Sequence, residues 1–183
     1  MSDYLLPAEL VDKAREVVAA NRAAGRRVAV AESCTGGLVS AALTEIAGSS
    51  EMFEAGFVTY SNTAKMAGLR VGDEVVETFG AVSIATAWAM ARGALEKSDA
   101  DIAVAITGIA GPDGGSERKP VGTVIFARAE RGASDDKIVT DQKLFDASGG
   151  RDPTKSSPTR SCSTPVRDVR GFAVRLRFAR WSC

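Results

Sequence analysis

The sequence predicts an α/β domain in three layers, α/β/α, built on a mixed, mostly parallel five-stranded sheet. Three observations point there. Short apolar, β-branched segments alternate along the chain with stretches of helical period. The first strand segments are apolar throughout rather than alternating, as in parallel strands covered on both faces. The last two segments are separated only by the turn-rich "RGASDD", which suits an antiparallel hairpin.

Residues 7–24 set Leu10, Val11, Ala14, Val17 and Val18 on one helical face, with Pro7 at the start and Gly25 past the end. "RRVAVAES" follows as a buried strand. Residues 36–47 read as a helix stopped by Gly48, "FEAGFVTYS" as a second strand and "NTAKMAGL" as a short helix. Ser83 is placed to cap a helix whose Ile84, Ala87, Trp88, Ala91, Ala94 and Leu95 recur at helical spacing. Trp88 therefore reads as core rather than as a stacking platform. "DIAVAITG" is the third buried strand, and "VGTVIFARAE" and "KIVTDQKLF" form the hairpin.

Composition narrows the chemistry. The 183 residues include no histidine, and the three cysteines, Cys34, Cys162 and Cys183, match neither a disulfide framework nor a zinc spacing. No metal site or cofactor is expected. The N-terminus has no basic start followed by an apolar run, and no apolar stretch nears the ~20 residues of a membrane span. A cytoplasmic, reducing environment is the expectation. Net charge is zero, yet eight of 23 basic and only three of 23 acidic residues lie from Asp146 onward, leaving 15 and 20 before it. That acidic body argues against a nucleic-acid surface.

Strands joined through helices would run parallel, so the carboxyl ends of the first three meet on one edge of the sheet, where open α/β sheets bind ligands. Ser33 ends the first strand. Tyr60, Ser61, Asn62 and Lys65 follow the second, and Thr107, Gly108 and a glycine-rich loop follow the third. Thr35, Gly36 and Gly37 would open a helix whose first N–H groups could hold an anion; the bland alternative is a tight turn only. With no imidazole in the chain, a reactive Ser33 needs another base. Lys65 serves if its pKa falls from ~10.4 to about 7–8. Tyr60 either relays a proton or packs, Glu32 is a hydrogen-bond partner or a strand-end charge, and Cys34 is a second nucleophile or an inert apolar residue.

Taken together, "AESCTGG", "GFVTYSNTAK", "FGAVS" and "ITGIAGPDGGSERKPVGTV" resemble the C-terminal domain of the competence/damage-inducible CinA family over residues 8–152. The resemblance is to its stand-alone members. It implies a metal-free, serine-dependent amidohydrolase that converts nicotinamide mononucleotide (NMN) to nicotinate mononucleotide and ammonia. It also implies a homo-oligomer. Ser33 would be the nucleophile, and Lys65 and Tyr60 its activating partners. Thr35, Gly36, Gly37, Asn62, Thr107, Gly108, Ala110, Gly111 and Arg151 would bind the substrate, and N–H groups at the helix start would hold the oxyanion. The alternative is a non-catalytic nucleotide-binding module on the same edge. After "SGGRD", which places Arg151 where the family carries an arginine, the match ends. Residues 153–183 read as a basic Ser/Pro/Arg-rich tail, poorly ordered and consistent with a shifted coding frame near codon 152.

Overall fold

The computed structural model describes residues 5–134 and 139–145. The expectations for Arg151 and for the 153–183 tail lie outside those residues. Five strands, β1 (Val28–Glu32), β2 (Phe53–Val58), β3 (Ile102–Gly108), β4 (Thr123–Glu130) and β5 (Val139–Leu144), form one sheet in the order β2-β1-β3-β4-β5. β1 pairs in parallel with both β2 and β3, whereas β3–β4 and β4–β5 are antiparallel. The sheet is therefore half parallel rather than mostly parallel. The site lies in its parallel half. The reason is connection length: α-helices return the chain between β1 and β2 and between β2 and β3, while among the described residues no helix intervenes between β3 and β4, and β4 and β5 are separated by only a short stretch of chain.

Alternate residues of the central strands feed two cores. Val28, Val30, Ile106, Val124 and Phe126 face α1 (Ala8–Ala23) and α2 (Leu38–Thr44), contributing to a core with Leu10, Val11, Val39 and Leu43. The opposite face is almost entirely alanine: Ala29, Ala31, Ala103, Ala105, Ala127 and Ala129. Small side chains let α5 (Ile84–Glu96) settle close, with Ala87, Met90, Ala91 and Ala94 inward. Gly93 permits a different close approach, between α5 and the helix ending at Leu69, because a Cβ there would collide with the Leu69 carbonyl oxygen. α3 (Asn62–Leu69) and α4 (Asp73–Phe79) share this layer, so the three-layer α/β/α arrangement is realised.

Several local features agree with the sequence. Gly25 takes φ 62 just past α1, and Ser83 caps α5 by accepting from the Thr86 amide at 3.0 Å. Others differ. α2 is shorter than residues 36–47, and a 3-10 turn at Ser49–Glu51 follows it. β2 stops at Val58, three residues early, because the chain turns into the Ser61 cap of α3. α4 was not anticipated; its signals are Asp73 and Glu74 in the first turn and Gly80 after the last. Ile84 is exposed and Trp88 half-buried under the Arg92 guanidinium, so the inward face of α5 is rotated toward Met90. The first residue of a helix need not follow the stripe of its interior.

Candidate active site

Parallel pairing aligns Glu32 of β1 with Val58 of β2 and with Ile106 of β3, so the next residues of all three strands emerge at one level. Backbone bonds carry the ladder one step further. The Ser33 amide donates to the Ile106 carbonyl at 2.9 Å, and the Thr59 amide to the Glu32 carbonyl at 2.8 Å. Three loops distant in sequence thus meet at the carboxyl edge. Gly108 belongs there by contact, since a Cβ on it would stand 3.0 Å from the Cys34 sulfur.

The centre of this edge is a pair. Ser61 opens α3 by accepting from the Ala64 amide at 3.0 Å, and Lys65 lies one turn in. Its side chain leans back toward the helix N-terminus, as helical side chains do, and is 1% exposed. Nζ then meets Ser33 Oγ at 2.9 Å, the Thr59 carbonyl at 2.8 Å and the Tyr60 carbonyl at 3.2 Å. Among the described residues no carboxylate pairs with it. Burial pushes the Lys65 ammonium below its ordinary value, with the Cys34 thiolate form acting in the other direction. A neutral amine has two N–H bonds and one lone pair. Two carbonyls and one hydroxyl match that set if the lone pair faces Ser33.

Cys34, beside the pair, is a different kind of group. Burial, reinforced by the Glu32 carboxylate, pushes its thiol up to about 12, against weaker pulls from the Cys34 and Thr35 amides and from Lys65. At neutral pH it is a protonated thiol. A protonated thiol is a poor nucleophile.

The turn Ser33–Gly37 departs from expectation. Gly36 and Gly37 take φ values of 60 and 98, which only glycine adopts readily, and a Cβ on Gly37 would press on Val58 at 3.2 Å. Yet the start of α2 is not open to a ligand. The fully buried Glu32 carboxylate accepts from the amides of Gly37 (3.1 Å), Val39 (3.1 Å) and Ser40 (2.8 Å) and from the Ser40 hydroxyl (2.6 Å). Gly36 and Leu38 donate to the Ser33 and Thr35 carbonyls at 3.0 and 3.1 Å. The expected anion site at the helix start is therefore filled by the protein's own anion. Of the amides in this turn, those of Cys34 and Thr35 donate to no backbone carbonyl and face the Cys34 sulfur.

The remaining predicted residues divide. Thr35 is buried, with its hydroxyl unpartnered. Asn62, on the first turn of α3, and Ala110 are exposed, and Gly111 sits at φ 81 in the loop after β3. Thr107 turns its hydroxyl away, donating to the Ala81 carbonyl at 2.8 Å, so its hydroxyl supports the strand end rather than the pair. The Tyr60 side chain is 69% exposed, and what reaches Lys65 is its carbonyl, not its phenol. Sequence reasoning left Glu32 undecided. The signal lay in its spacing: a buried strand-end carboxylate followed by Gly-Gly and a short helix bearing Ser40.

A three-layer α/β/α domain with a buried Ser–Lys pair at the carboxyl edge of its parallel strands carries its candidate site where open α/β sheets bind ligands. More narrowly, the family described as "CinA C-terminal domain" matches residues 11–157, and the chain belongs to that family. It is 50% identical over 152 residues to the nicotinamide-nucleotide amidohydrolase PncC of Escherichia coli (strain K12), covering 82% of this chain and 88% of that protein. A putative competence-damage inducible protein of Symbiobacterium thermophilum is 57% identical over 108 residues; the matched region is 59% of this chain and 25% of that longer protein. Among solved structures, the competence/damage inducible protein CihA from Agrobacterium tumefaciens aligns with a TM-score of 0.74 at 48% identity, covering 80% of this chain and 86% of that one. Among the described residues, no helix is long and apolar enough to cross a membrane, and no group of three or more acidic, cysteine or histidine residues could hold a metal ion.

Proposed function

We propose that this chain is a nicotinamide-nucleotide amidohydrolase, converting NMN and water to nicotinate mononucleotide and ammonia. The substrate is that of relatives such as the Escherichia coli nicotinamide-nucleotide amidohydrolase, aligned over most of both chains. One observation carries the chemistry: a buried lysine, with no carboxylate partner among the described residues, 2.9 Å from the hydroxyl of Ser33.

Neutral Lys65 takes the Ser33 proton as Oγ attacks the carboxamide carbon. The Thr59 and Tyr60 carbonyls accept its two N–H bonds and so aim the lone pair at Oγ. Tyr60 thus acts through its backbone, its phenol standing at the rim. The amides of Cys34 and Thr35 meet the developing oxyanion, a contribution typically of about 10²–10³ in rate per donor. Protonated Lys65 returns its proton to the departing ammonia. Water, deprotonated by the same amine, then attacks the nicotinoyl ester and releases Ser33. By the family resemblance we assign Asn62 at the start of α3, Gly108 at the end of β3, and Ala110 and Gly111 in the loop after it, to the nucleotide. We take the protein to act in the cytoplasm as a homo-oligomer, which analytical ultracentrifugation tests. For the reaction, Ser33→Ala is expected to abolish ammonia release from NMN while equilibrium binding of NMN persists. Turnover retained in Ser33→Ala would remove the nucleophile assignment.

A further inference from the structure

Glu32 is fully buried and adjoins the nucleophile in sequence, and its carboxylate hydrogen-bonds to neither Ser33 Oγ nor Lys65 Nζ. Its backbone is clamped at the end of β1, with its carbonyl accepting from Thr59. Its side chain bridges the turn that begins at Ser33. Oε2 accepts from the Gly37 and Val39 amides, and Oε1 from the Ser40 amide and hydroxyl. One carboxylate therefore ties the two ends of the Ser33–Gly37 turn together. Gly56 makes room for this arrangement, because a Cβ there would stand 2.5 Å from the Ser40 hydroxyl oxygen.

We propose that Glu32 is a positioning residue, a strap that holds the Ser33 turn so that Oγ rests against Lys65; the proposal rests on the amidohydrolase reading above. The physical case has three parts. First, two glycines at φ 60 and 98 give the unrestrained turn wide conformational freedom, and a strap restricts it. Second, all four partners of the carboxylate are donors in this arrangement, so an acceptor-only group is required. A glutamine would set its NH₂ against N–H groups at one end. Third, the carboxylate is directed to α2 and forms no ion pair with Lys65, so it leaves the amine free to lose its proton. Displacement of a reacting group by about 1 Å costs on the order of 10²-fold in rate. A loosened strap should therefore lower kcat and leave KM nearly alone.

The test compares the wild-type chain, Glu32→Gln and Ser40→Ala. The readouts are steady-state ammonia release from NMN and the rate at which a fluorophosphonate probe labels Ser33, located by peptide mass spectrometry, with circular dichroism and melting as checks on folding. For folded Glu32→Gln, kcat is expected to fall about 10²-fold, with KM within about threefold and Ser33 labelling slowed in parallel. Ser40→Ala is expected to show the same pattern at about tenfold, since one of four donors is lost. A folded Glu32→Gln with kcat and labelling within about twofold of wild type overturns the proposal; a purely structural role would give that result. If Glu32→Gln does not fold, unchanged kcat and labelling in Ser40→Ala overturns it instead. Should Ser33 label in a Glu32-dependent way while NMN is not hydrolysed, the strap stands and the substrate assignment fails.

Discussion

Two buried ionisable groups flank the end of β1, and the fold treats them in opposite ways. Glu32, on the α2 side, is met by four donors, three amides and a hydroxyl. Lys65, on the α3 side, is almost as deeply buried but meets only two carbonyls and a hydroxyl, and burial lowers its pKa. Complete solvation by the protein makes a structural ion. Incomplete solvation makes a base. The difference is set by which helix N-terminus each side chain faces: α2 offers its amides to the anion, whereas Lys65 leans back along α3 to carbonyls that precede the cap.

Substituting each group in turn breaks this contrast most sharply. Lys65→Met should lower kcat by on the order of 10³-fold or more, because no other described group stands at Ser33 Oγ to take its proton. Its melting temperature should not fall, and should rise by about a few degrees, since an apolar side chain removes the cost of desolvating the amine. Ammonia assays and thermal melts on one preparation check both halves. A Lys65→Met protein that melts well below wild type would show that the amine is a structural contact.

Glu32→Ala should move stability the other way. Three amides and one hydroxyl lose their acceptor inside the protein, a loss of about 3 kcal/mol measurable by urea unfolding. Equal unfolding free energies for Glu32→Ala and wild type would dissolve the distinction between structural ion and base.

The pH dependence sharpens the contrast further. A lysine base works only uncharged, so kcat/KM should rise with pH along a limb below the ordinary lysine value of 10.5. Stability has the same sign. Between the lowered folded value and 10.5 the unfolded chain binds more protons at this site, so unfolding free energy grows as pH rises across that interval. Comparing wild type with Lys65→Met isolates this slope, which the variant should lack.

The smallest effect concerns Cys34. With its thiol pushed up to about 12, iodoacetamide should alkylate it far more slowly at pH 7.5 than an ordinary cysteine, and the rate should climb steadily with pH. Fast alkylation at neutral pH would make Cys34, not Ser33, the group to examine first.

Much of the fold was legible because its signals are local. Apolar β-branched segments, Gly25 after α1 and Ser83 before α5 each act on near neighbours in the chain. The antiparallel β3–β4–β5 half was partly legible from its turn, while the parallel fraction was overestimated because β3 and β4 read as equally apolar. Ile84 misled because helical period describes a stripe, not where the helix axis comes to rest on an alanine surface.

Sequence by itself determined the residue inventory: a chain without imidazole, a serine ending one buried strand, and a lysine one turn into the helix after the next. It also set the convergence of three loops, because parallel pairing follows from helical connections of sufficient length. What only the tertiary structure decided was the use of each polar group. Tyr60 contributes a carbonyl rather than a phenol, and Thr107 turns its hydroxyl to Ala81. Glu32 claims the helix start that a ligand was expected to fill. Such choices depend on hydrogen-bond directions across distances of about 3 Å between segments far apart in the chain, and a one-dimensional pattern of residue types does not contain those directions.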